Sequence, residues 1–86
     1  MPGADLFEKG LADLGRGVVS VEALLASIAA PRLARIGIEV PGAIADPERK
    51  LYDLLAETDP DSAHSRYNAL IRRLVSFERA AECAAH

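Results

Sequence analysis

Apolar residues in this chain fall into four runs with helical spacing. The last run is the longest. Ala63, Tyr67, Leu70, Leu74, Phe77, Ala81 and Ala84 recur in steps of four and three, the seam of a helix that packs along its length. The pattern predicts one unbroken helix from Asp59 to the C-terminus, opened by Asp59 as N-cap and Pro60 in the first turn. A third helix is predicted from the same device at Asp46-Pro47, with Leu51, Leu55 and Thr58 on one face and Tyr52 and Leu54 widening it. Val21, Leu24, Leu25 and Ile28 form the stripe of an amphipathic second helix capped by Ser20. Phe7, Leu11 and Leu14 mark a first helix, opened at Asp5 with Glu8 as a capping box. Gly15 and Gly17 close it, and Gly10 inside it is a weakness.

Pro31 comes too early for the second helix to run on undisturbed. The reading favoured here is a separate short fifth turn, Pro31 to Ile36, closed by Gly37. Ile38–Ala45 reads as an extended connector whose Ile38, Val40 and Ile44 cover the core. No second β-patterned run exists for it to pair with. The expected fold is therefore all-α: a single helical domain over residues 1–86, a bundle of four main helices. The short link Thr58-Asp59-Pro60 makes the last two an antiparallel hairpin.

Composition narrows the picture. Half of the 86 residues are hydrophobic and only four are aromatic, so the core is built from Leu, Ile, Val and Ala. A small alanine-rich bundle often completes its core with a partner. The net charge of −3 is unevenly spread. Residues 1–61 are acidic, whereas the last segment carries Arg66, Arg72, Arg73 and Arg79 against Glu78 and Glu82. The longest uncharged apolar stretch, Ala23 to Pro31, is far too short to span a bilayer, and the N-terminus lacks the order of a signal peptide. The lone Cys83 suits a reducing cytoplasm.

The long helix has two faces of interest. Its outer flank carries Ser65, Ala69, Arg72, Ser76, Ala80 and Cys83, mostly small residues in helical register, which would let another helix approach closely. The final helix also looks longer than the third helix can cover, and this shortfall points to self-association. A second stripe, His64, Asn68, Arg72 and Arg79, offers hydrogen-bond donors of the kind that grip phosphates or base edges. Arg66 and Arg73 lie beside the apolar seam, placed to form ion pairs with the acidic part of the chain. Glu82 is three residues past Arg79, an ordinary surface pair.

Two helix-turn-helix frames can be drawn. One runs from the third helix into the start of the fourth, with Ser62, His64, Ser65 and Asn68 for recognition. The other lies within Val21–Leu33. Asp59 and Asp61 would repel phosphates in the first, and Pro31 sits awkwardly in the second.

Catalytic chemistry is poorly supplied. No metal-ligand spacing exists, no phosphate-binding loop is present, and Cys83 with His86 has nothing to orient it. Neither catalytic residue, cofactor nor metal is expected. In general style the chain resembles small bacterial helical proteins that act by binding another protein, such as antitoxin-like or adaptor subunits. No specific motif carries residue roles over. The expected function is non-enzymatic protein interaction through the long helix, as a homodimer or in a hetero-complex. The alternative is a nucleic-acid-binding regulator using residues 64–79.

Overall fold

A computed structural model describes residues 3–85, with side chains through Ala84. Among the described residues the protein is all-helical, with α1 (Ala4–Gly15), α2 (Val21–Ala34), α3 (Pro47–Thr58) and α4 (Ala63–Ala85). They pack into a body of 40 × 25 × 20 Å.

The centre of that body is α2, which packs on all three other helices. Ala23, Leu24, Leu25, Ala26, Ser27, Ala29 and Leu33 are all buried. The four-residue stripe expected for α2 is thus too narrow. The alanines between the leucines are apolar as well, and a helix that is apolar all round belongs in the interior. Val21 and Ile28, two members of the expected stripe, are only half-buried. Around α2 stand Phe7 of α1, Leu51 and Leu55 of α3, and Ala63, Leu74, Phe77 and Ala81 of α4. Of the edge its spacing predicts, α4 therefore buries Ala63, Leu74, Phe77 and Ala81, whereas Tyr67 and Leu70 are half-buried and Ala84 is exposed.

That edge is covered by more than α3. Phe7 of α1 stacks on Phe77 with ring centroids 4.8 Å apart. Tyr52 of α3 meets Tyr67 edge-on at 5.7 Å. Arg32 of α2 bonds Glu82 in the last turns of α4. The mismatch in length between α3 and α4 is largely made up by α1 and α2, which leave Tyr67 and Leu70 half-buried.

Helix ends follow local chemistry, with three corrections. Ser20 caps α2 as expected, its Oγ accepting from the Ala23 N–H at 3.0 Å. The predicted capping box at Asp5 does not form. Helix α1 opens after Gly3, whose φ of 76° is left-handed, and no side chain caps it. Asp46 likewise provides no side-chain cap. It takes a left-handed φ of 50°, and Pro47 alone carries the start of α3. Helix α4 begins at Ala63 rather than Asp59. The Asp59 carboxylate instead accepts from Ser62 Oγ at 2.6 Å, across a turn through Pro60. This bond holds the Asp59 carboxyl below its ordinary range.

The separate turn after Pro31 is not formed. Helix α2 continues through Pro31 to Ala34. Pro31 is exposed, and α2 carries it at a local cost, because without an N–H it cannot make the helical bond to the Ser27 C=O. The Val21–Leu33 helix-turn-helix frame falls with it, since that segment is one helix. The helices α1 and α2 end alike. Gly17, with positive φ, donates to Leu14 C=O and Val18 to Asp13 C=O. Gly37, also with positive φ, donates to Ala34 C=O and Ile38 to Leu33 C=O. Both are paired-bond closures that only a left-handed residue completes without strain.

The connector behaves as expected: Ile38, Val40 and Ile44 pack against the core. Its anchor was not expected. Buried Ser27 donates to Ala23 C=O at 2.9 Å and accepts from the Ile44 N–H at 2.9 Å, so both its donor and an acceptor position are satisfied.

Candidate docking surface

Two polar clusters tie the helices together, and α4 presents a free outer surface. The first cluster joins α1 to α2. Asp13 is only 1% exposed. Its carboxylate accepts from Ser20 Oγ at 2.6 Å and Lys9 Nζ at 3.0 Å, and pairs with Arg16. Lys9 also reaches Glu22 at 3.5 Å. The Ser20 hydroxyl, then the two cations, lower the Asp13 carboxyl from 3.8 to about 2. Because the folded value lies below the unfolded one, this contribution to stability is complete above about pH 4 and lost as pH falls through about 2. Asp13→Asn is expected to melt at lower temperature than the parent at neutral pH, with the difference shrinking between about pH 4 and 2. Circular-dichroism melts across that window measure it, and a constant difference would remove the role given to Asp13.

The second cluster joins α2 to α4. Arg32 bonds Glu82, and the buried Glu78 lies beside them. Burial pushes the Glu78 carboxyl above its ordinary range, opposed by Arg32 and reinforced by Glu82. The expected Arg79–Glu82 pair is replaced by this longer-range one. Arg32 and Glu82 also border a small surface recess with Arg35 and Ile36.

The free surface belongs to α4. Ser65, Ala69, Arg72, Ser76 and Cys83 are exposed and Ala80 is half-buried. The outer flank thus sits on the outside, as its spacing implies. In the second stripe, His64, Arg72 and Arg79 are exposed and Asn68 is half-buried. Asn68 Nδ2 and His64 Nε2 lie 3.2 Å apart and bond each other, which occupies one polar atom of each. His86, named with Cys83 as a conceivable pair, lies outside the described residues.

The ion pairs expected of Arg66 and Arg73 are not formed: among the described residues neither has a carboxylate within 4.0 Å. They stand instead over a groove of about 420 Å³ lined by Leu6, Val21, Glu22, Arg66, Ala69, Leu70 and Arg73. Leu6 comes from α1, Val21 and Glu22 from the first turn of α2, and the rest from α4. Residues 66, 69, 70 and 73 follow the three-, four- and seven-residue steps that share one helix side. The groove offers apolar surface flanked by two cations, while the one carboxylate among its lining residues, that of Glu22, is engaged by Lys9.

The sequence placed Arg66 and Arg73 beside the seam and Ala69 on the outer flank. It offered no sign of Leu6, Val21 or Glu22, which join the groove only through the packing of three helices.

Among the described residues no group of three His, Cys, Asp or Glu side chains could hold a metal, and no helix is long and apolar enough to cross a membrane. No family model matches this chain, and neither a curated protein nor a solved structure is similar to it.

Proposed function

We propose that this chain is a non-enzymatic protein-interaction module that docks a protein, either a second copy or another chain, on α4. One observation carries the reading: an apolar groove runs along α4 with Arg66 and Arg73 beside it, both free of carboxylate partners among the described residues. Apolar surface supplies affinity, and unpaired charges beside it select and orient a partner. The neighbouring flank of Ser65, Ala69, Arg72, Ser76, Ala80 and Cys83 widens the approach with mostly small side chains. The same proposal takes α3 and α4 as an antiparallel hairpin, supported by the short link between them and the Tyr52–Tyr67 contact.

Ala69→Arg is the direct test. Ala69 is exposed, so the variant should melt like the parent while its new side chain fills the groove. Sedimentation would register self-association, and affinity capture would register a stoichiometric partner. The expected outcome is an association in the parent that Ala69→Arg abolishes. A parent with neither kind of association, or an association indifferent to Ala69→Arg, would overturn the reading.

Nucleic-acid binding through His64, Asn68, Arg72 and Arg79 is the second reading. It is favoured by the exposure of all four α4 arginines and opposed by the net charge of −3 and by Asp59 and Asp61 at the helix start. It requires salt-sensitive binding to a duplex or RNA that weakens on Arg72→Ala.

A further inference from the structure

We infer that the groove's occupant is a second copy of this chain, presenting the acidic end of its α3; the inference rests on the docking reading above. Arg66 and Arg73 are seven residues apart, about 10 Å along the helix axis. Leu6, Val21, Ala69 and Leu70 supply the groove's apolar lining. With Glu22 already engaged by Lys9, and Asp59 reached by Arg66 only from beyond 4.0 Å, the net charge beside the groove is positive. The surface that fits must be apolar in part and negative along the side that meets α4.

The chain carries such a surface. Residues 53–61 include Asp53, Glu57, Asp59 and Asp61 and no basic side chain. Asp53, Glu57 and Asp61 are exposed, and none has a cation within 4.0 Å among the described residues. Asp53 and Glu57 are one turn apart on the same side of α3. Tyr52, about 100° round the helix from Asp53, packs on Tyr67 of its own copy and keeps 39% of its surface open to solvent. The carboxylates supply the charge, and the open edge of Tyr52 on the adjoining side of α3 supplies apolar surface. The chain therefore holds both halves of a complementary contact: within one copy Arg66 acts on Asp59 only from beyond 4.0 Å, and Arg73, Asp53 and Glu57 form no ion pair among the described residues.

The two halves lie near each other. The acidic segment runs into the α3–α4 link, and Arg66 follows the link by one turn of α4. A two-fold axis beside the link would set each copy's groove against the other's acidic segment. Both contacts then form at once, and the assembly closes at two.

Charge exchange on the full-length chain tests this. The parent is expected to sediment as a dimer at micromolar concentration and to dissociate as salt is raised. The double variant Arg66→Glu, Arg73→Glu is expected to be monomeric with unchanged helicity, and so is Asp53→Arg, Glu57→Arg. Mixed in equal amounts, the two reversed chains should form a one-to-one dimer, because both of its contacts again pair opposite charges. A monomeric parent overturns the inference, as does a dimer that survives both reversals or a mixture that stays monomeric. A monomeric parent that still captures another protein in an Ala69-dependent way would retire the second copy and leave the docking reading standing.

Discussion

Gly10→Ala is expected to destabilise the protein by about 3 kcal/mol, even though alanine is the better helix former by about 1 kcal/mol. Gly10 is buried where α1 crosses α2. A Cβ there would stand 2.3 Å from the Glu22 carbonyl oxygen and 2.9 Å from the Ala26 Cβ. The first obstacle is backbone inside a helix and cannot swing aside. The added methyl must therefore push the helices apart, which loosens the packing around Phe7 and strains the Asp13 network that ties α1 to Ser20. Thermal melting of the variant measures the effect. A melting temperature equal to or above the parent's would mean that the two helices do not approach as closely as described.

Leu24→Ala is expected to cost about 2–5 kcal/mol. Leu24 is fully buried on α2, the helix that every other helix touches. Removing its branched end leaves a void lined by several elements, none of which can shift inward without disturbing the rest. A protein of this size has total stability of roughly 4–13 kcal/mol, so the change consumes a large share of it. The melting temperature should fall by at least about 10 °C. Chemical denaturation with the slope held common to both chains would give the free energy directly. A loss below about 0.5 kcal/mol would place Leu24 outside the core, since that is the range of surface substitutions.

These two residues also show what the sequence discloses and what it hides. The bulky edge of α4 was legible through Ala81, because a repeated three- and four-residue step has one helical interpretation. The Ser20 cap was legible because its partner is three residues away. The carboxylates of Asp5 and Asp46 look like equally good caps, yet neither caps its helix. Capping depends on the direction from which the chain enters, and Gly3 and Asp46 enter through left-handed backbone.

Gly10 read as a defect in α1, since its use becomes visible only once α2 lies across it. The α2 alanines Ala23, Ala26 and Ala29 carry no periodic signal of their own, and only neighbours on every side give them a role. Arg32 and Glu82 are 50 residues apart, so no local spacing could pair them. The groove was half-legible: its α4 side follows from helical register, whereas Leu6, Val21 and Glu22 arrive through tertiary packing.

The central place of α2 has a consequence for how the protein comes apart. A chain cut within the 38–46 connector would separate α1–α2 from α3–α4. The first fragment would expose the leucines that α3 and α4 normally cover, and the second would lose the partner on which Leu51, Leu55 and Leu74 close. Neither fragment keeps a dry interior of its own. Unfolding should therefore be a single cooperative event with no half-folded species along the way, and the two fragments should regain structure only on mixing.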